Sequence, residues 1–282
     1  MKPQKTLYFI LFSLILVSCI KKVDPVVVDE THVVIFANLE YPANTLHIDI
    51  LETSTTVDYR SKPIKNAEIR LYTKNSNDRT EVIANTDDFT FDNYTEQYQS
   101  TNEIQTRVGH SYWLEVEIPN RKGIYTSTAI EMVKTVEIKS IERINGATRI
   151  VFQDPPNEPN QYLASFLFFE NEIELNQELI PNTDTLFDGN SNAYLEVANT
   201  NGNRARVALM HMDPEVYEFF FKYTQQLNNN TNYNEDDGGD PGLLFLPPPI
   251  QLSGNIFNAT TDELVLGNFG VVNTHELEQT FE

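Results

Sequence analysis

Apolar and polar residues alternate along much of this chain at the period of a half-buried strand. Leu46, Ile48 and Ile50 alternate with His47, Asp49 and Leu51, and Ala67, Ile69 and Leu71 alternate with Glu68, Arg70 and Tyr72. Tyr112, Leu114, Val116 and Ile118 alternate with Trp113, Glu115 and Glu117. His32 to Leu39 is an apolar, β-branched run, and Asn120-Arg121-Lys122-Gly123 marks a turn before Ile124 to Ile130 returns as a strand. Short strands between turn signals predict an Ig-like β-sandwich over residues 31–131.

A second β-rich region is predicted over 132–282. Asn145-Gly146 marks a hairpin, because this pair tolerates the positive φ angles of a type I′ turn. Arg149 to Gln153 returns from it. Tyr162 to Glu170 is apolar on both faces, as a central strand requires, and Arg204 to Met212 and Leu264 to Val272 add further strands. One stretch changes period. Asp213 suits an N-cap and Pro214 the first helical position, and Val216, Phe219, Phe220, Tyr223 and Leu227 then share one face. The helix is predicted over about 214–227, with Asn228-Asn229-Asn230 ending it.

The N-terminus is a different kind of segment. Lys2 and Lys5 precede an apolar run from Leu7 to Val17, shorter than the ~20 residues that span a bilayer. The run closes on Leu16-Val17-Ser18-Cys19, which resembles a bacterial lipoprotein signal and contains the single cysteine of the chain. That resemblance implies cleavage after Ser18, lipidation of Cys19, and a tether over 19–30. Ile20 in place of Asp lacks the inner-membrane retention signal, and Lys21-Lys22-Val23-Asp24 loosely resembles a surface-export signal. The expected location is the outer membrane, held by lipid.

Composition narrows the partners. The formal net charge is −21 over 282 residues, which repels phosphate backbones and anionic membrane surfaces. Nucleic acid is excluded as a partner, and attachment falls to the lipid. With one cysteine no internal disulfide forms, so stability rests on apolar cores; thirteen Tyr and seventeen Phe against eleven Gly suit β-rich ones.

Several segments resemble a family of Bacteroidetes outer-membrane lipoproteins catalogued as a domain of unknown function. In the first region these are Ile64 to Ile69, Val108-Gly109-His110-Ser111-Tyr112-Trp113-Leu114 and Gly123-Ile124-Tyr125-Thr126-Ser127, which also resemble the carboxypeptidase-regulatory type of small sandwich. In the second they are Asp188-Gly189, the helix with Tyr217 and Phe220, Pro247-Pro248-Pro249, Gly254-Asn255-Ile256 and Leu266-Gly267-Asn268-Phe269. The family's last piece usually reads Gly-Tyr-Phe, and Asn268 replaces the Tyr here. The resemblance implies a binding or accessory subunit for a TonB-dependent outer-membrane receptor in nutrient uptake. It carries over no catalytic residue and no cofactor.

Candidate chemistry in the residues is sparse. His32, His47, His110, His211 and His275 form no metal-binding spacing, and no nucleophile elbow, phosphate loop or dinucleotide fingerprint is present. Residues 231–242 carry Asn232, Asn234, Asp236, Asp237 and Asp240, oxygen donors of the kind hard cations take, but Asp237 and Leu243 break the EF-hand register. That stretch reads as a solvated loop. Asp87-Asp88 and Asp184 read as turn residues, and Trp113 and Tyr125 as exposed aromatics able to stack on a sugar, though Trp113 equally suits packing under a loop. The expectation is no enzyme, no metal and one modified residue, Cys19. A structural or adhesive surface lipoprotein is the alternative, and a glycan-active enzyme the third reading.

Overall fold

The computed structural model describes residues 31–54, 61–75, 77–198, 200–231, 252–261 and 263–281. Cys19, the tether and nearly all of the acidic 231–242 stretch lie outside the described residues. The fold is mainly β, with one α-helix among the described residues.

A nine-stranded sheet runs through the whole molecule. Its centre is the strand Val265–Thr280, whose first half pairs in parallel with Val33–Tyr41, from Val33 beside Val265 to Tyr41 beside Asn273. Its second half pairs antiparallel with Arg204–Met212, from Met212 beside Val272 to Arg204 beside Thr280. One flank continues through His47–Glu52, Gln97–Ser100 and Phe89–Asp92, the other through Gln161–Glu170 to Ile173–Thr183.

Two smaller sheets cover this long one. A six-stranded sheet contains Glu68–Lys74, Thr80–Asn85, Ser111–Glu117 and Tyr125–Ser127, and closes the first core. Val33, Ile35, Ala37 and Leu39 point into that core, meeting Ile69, Leu71, Tyr112, Leu114 and Val116. A three-stranded sheet, Ile138–Ile144, Ala147–Phe152 and Ala193–Val197, closes a second core over Tyr162, Phe166, Phe168, Val207 and Leu209. The Asn145-Gly146 turn forms as its sequence dictates, with φ of 53° and 81°.

The expected partition at residue 131 follows chain order, and the sheets do not. Ile256–Asn258 pairs with Tyr125–Ser127, and Val265, Phe269 and Val271 join the first core. Residues from the expected second domain therefore complete the first sandwich. The reason is length: a 16-residue strand is long enough to serve two sandwiches in succession.

The helix Pro214–Thr231 lies on the back of the shared sheet. Asp213 caps it as its type predicts, its Oδ1 accepting from Glu215 N at 2.8 Å. Val216, Phe219 and Phe220 are buried in a cluster with Leu163 and Met212, and Phe219 meets Phe36 at 5.9 Å between ring centroids. Phe36 is out of phase with Ile35 and Ala37, so the helix sits on the face opposite the first core. The helix continues through Asn228–Asn230, because low helix propensity is a weak prior of a few tenths of a kcal/mol per residue.

Two tests follow from this architecture. A Cβ on Gly267 would lie 2.0 Å from the Ile35 carbonyl oxygen, at a φ of 96°. Gly267→Ala should cost more than about 3 kcal/mol or prevent folding, whereas Gly146→Ala, with open space around it, should cost about 1 kcal/mol. Urea unfolding checks both. Burial, reinforced by Glu276, raises the Glu40 carboxyl above its ordinary value. Its contribution to stability is full below that ordinary value and lost as pH rises through the raised one. Glu40→Gln should therefore raise the melting temperature at pH 7, and the gain should vanish near pH 4; a pH series of melts measures it.

Candidate binding cleft

A cleft of about 410 Å³ opens beside the edge strand Thr80–Asn85 of the first sandwich. Its floor is Ile83, Ala84, Ile104 and Tyr112, and its rim carries Glu81, Asp88, Glu103, Arg107 and His110.

Local hydrogen bonds fix both walls. On one side Asn85 and Asp88 cap a 3₁₀ turn: Asn85 Oδ1 accepts from Asp87 N, and Asp88 Oδ2 accepts from Asn85 N at 2.9 Å. Thr86 Oγ1 ties that turn to Ile69, accepting from its N–H and donating to its carbonyl. On the other side Thr106 Oγ1 donates to the Glu40 carbonyl at 2.9 Å. Arg107 N–H donates to the Tyr112 hydroxyl at 2.7 Å, and Gly109 N–H donates to the Met132 carbonyl at 2.8 Å. The Gly109 and Tyr112 of the sequence motif thus hold the loop that walls the cleft.

Three carboxylates, Glu81, Asp88 and Glu103, share the lining with one guanidinium, Arg107, and with His110. Glu81 is partly engaged by Arg79 at 2.9 Å. The arrangement suits an amphipathic ligand, with an apolar body over Ile104 and Ala84 and a cationic group at the rim.

The other marked residues disperse. His47 is exposed at a strand end, and His275 Nδ1 accepts from Ile138 N at 3.2 Å. His211 is buried beside the Lys134 carbonyl at 2.7 Å, and burial lowers its pKa. Trp113 is half-buried and stacks on Tyr72 at 5.0 Å with ring planes 3° apart.

Tyr125 corrects an expectation: it is buried, not exposed. Its hydroxyl donates to Glu263 Oε2 at 2.7 Å, and burial together with that carboxylate pushes its pKa up to about 12. Arg121 joins the same cluster, reaching Glu263 at 2.8 Å and Glu52 at 2.5 Å. The tyrosine reads as a strand residue in sequence, and the carboxylate that fixes it lies 138 positions away.

One acidic cluster was not anticipated. Asp154, Asp184 and Asp188 bring oxygens within 4.8 Å of one another. Each accepts from the chain: Asp154 from Tyr162 OH at 2.6 Å and Gly189 N at 2.8 Å, Asp184 from Asn160 N, and Asp188 from Asn157 N. Those bonds clamp the loops after Phe152 and Thr183 together.

Tyr112→Phe should leave the Arg107 N–H without its partner, costing about 1–3 kcal/mol. Hydrogen exchange at Arg107 should accelerate, while exchange in the second sandwich should not.

The chain matches the family described as "Domain of unknown function (DUF4249)" over residues 20–278, and it belongs to that family. No curated protein matches it. Similar solved structures include a DUF4785 family protein from Legionella pneumophila, at 9% identity and a TM-score of 0.26, covering 62% of this chain and 49% of that one. The chain thus spans about half the length of that protein. CBD12 from CALX1.2 is similar at 7% identity and a TM-score of 0.17, covering 86% and 98%. Both scores are too low to bear on function.

Proposed function

We propose that this DUF4249 protein is a lipid-anchored binding subunit of the cell envelope that serves a TonB-dependent outer-membrane receptor in nutrient uptake. Three things support the reading. The stretch from Lys2 to Cys19 has the form of a lipoprotein signal, and the family match starts at residue 20, directly beyond it. The order of the motif segments resembles that of lipoproteins encoded beside such receptors. The observation that carries binding is the cleft, whose apolar floor and charged rim are held open by bonds from both walls.

The strand that follows the tether, Val33–Tyr41, is central in the shared sheet. A pull passed on from such an anchor would be borne by the first core, into which Val33, Ile35, Ala37 and Leu39 point. Among the described residues no helix is long and apolar enough to cross a membrane.

A pull-down tests the partnership. With a tag after Glu282 and membranes dissolved in mild detergent, a TonB-dependent barrel should co-purify in near-equal amount, and Cys19→Ala should remove the protein from the membrane fraction. An anchored protein without any barrel would leave the adhesive reading in its place.

A further inference from the structure

On the back of the shared sheet, between the helix and the first residues of two parallel strands, lies a groove of about 390 Å³. Val34, Phe36 and Leu266 form its sheet side, Phe219 and Tyr223 its helix side, and Leu252 closes one end. Its position follows from the fold. Val34 pairs with Leu266, so two apolar side chains stand together on this face. Leu252 is fixed beside them because its carbonyl accepts from Gly267 N–H at 2.8 Å. Tyr223 stacks on Phe219, which leaves its ring edge at the opening, 37% exposed.

The lining selects the occupant. Apart from the Tyr223 hydroxyl, no side chain among these offers a hydrogen bond. A peptide laid here would bury its own N–H and C=O groups against apolar walls, at a cost of several kcal/mol each without partners. A hydrocarbon chain has no such groups. Charge narrows the choice further: at a net charge of −21 the protein repels anionic head groups. The groove also adjoins the point where the tether arrives. Residues 19–30 extend at most roughly 40 Å, so a lipidated Cys19 keeps this opening near a membrane surface, where single-chain amphiphiles partition. That last step rests on the anchoring reading above; the chemistry of the lining does not.

We propose that this groove binds the hydrocarbon chain of an uncharged single-chain amphiphile, presented from the membrane. The site is separate from the cleft of the first sandwich and gives the binding subunit an apolar cargo or membrane-sensing contact. Residues that line it have definite roles: Phe36 and Leu266 form the floor, Leu252 sets the length, and Tyr223 stands at the mouth.

The test is a binding assay on the full chain carrying Cys19→Ala, which removes the protein's own acyl groups from competition. The probe is the neutral dye 1-N-phenylnaphthylamine, whose fluorescence rises in apolar sites, displaced by monolauroylglycerol. Saturable binding and displacement are expected. Tyr223→Glu, at an exposed position, should weaken binding by roughly tenfold or more with the melting temperature unchanged, and Leu252→Ala, packed against the core, should weaken it as well while the protein stays folded. Equal binding by the variants would overturn the proposal. So would binding that emerges only after Leu243–Leu246 are replaced by serine, because the chain's own apolar segment would then be the occupant. Loss of the co-purifying barrel in Tyr223→Glu, with no dye binding in the parent, would make the groove a protein interface instead. The dye assay itself uses no transporter, so its failure and failure of the pull-down are distinguishable.

Discussion

The parallel pairing of Val265–Asn273 with Val33–Tyr41 is the contact on which the rest of the structure depends. It joins the described chain's first strand to its last and makes one sheet of what would be two. Parallel pairs need a long crossover, and here the connection includes the whole second sandwich and the helix. The first core cannot close until residues from beyond position 250 arrive, so its folding depends on contacts of very high sequence separation. Gly267 shows how tight the join is: its Cα faces the Ile35 carbonyl with no space for a methyl group. Gly254 is also tight: a Cβ there would lie 2.5 Å from the Asn268 side chain and 2.6 Å from the Gly267 carbonyl.

Around this join lies a stitch of asparagine amides. Asn255 Nδ2 donates to the Phe269 carbonyl at 2.9 Å, and Phe269 N–H donates back to Asn255 Oδ1 at 2.9 Å. The side chain thereby imitates a neighbouring strand on the side where Val265–Thr280 lacks one. Asn258 does similar work one strand away, donating to the Lys122 carbonyl and accepting from Thr260 and Thr261 N–H. The Gly-Asn-Ile and Leu-Gly-Asn-Phe segments are therefore folding chemistry. So are Gly123, whose Cβ would collide with Asn258, and Ser127, whose Oγ accepts from Leu114 N.

This explains what was legible in the sequence. Strands with one wet face and one dry face declare themselves by alternation, and Leu46, Ile48, Ile69, Leu71, Tyr112 and Leu114 all point inward as read. The Asn145-Gly146 turn and the Asp213-Pro214 helix start depend on local chemistry alone, and both form. What stayed hidden depends on partners far along the chain. Ile173–Thr183 is an exposed edge strand whose polar run shows no clean period, and its turn uses Asn171 and Glu172 at positive φ in place of glycine. The apolar pattern of the shared strand ends at Val272, where it gives way to Asn273, Thr274, His275 and Glu276. Those residues hold their place through pairing with Arg204–Met212, which no local signal encodes.

The cleft was missed for the same reason. Its floor comes from three separate segments, and Ile104 and Ala84 are unremarkable apolar residues until the loop from Thr101 to His110 folds over them. His110 and Tyr112 stood out in sequence as motif residues, and the structure divides that motif by depth. Tyr112 is buried and bonds the loop, while His110 reaches the rim. A motif can therefore mark the frame of a site without containing the residues that choose the ligand. In this protein the frame is the glycine, tyrosine and asparagine chemistry around the shared sheet. On the binding reading proposed above, specificity would fall to Glu81, Glu103 and Arg107, which line the cleft without being buried in either core. Exposed lining residues of this kind can change at little cost in stability, whereas the buried frame cannot.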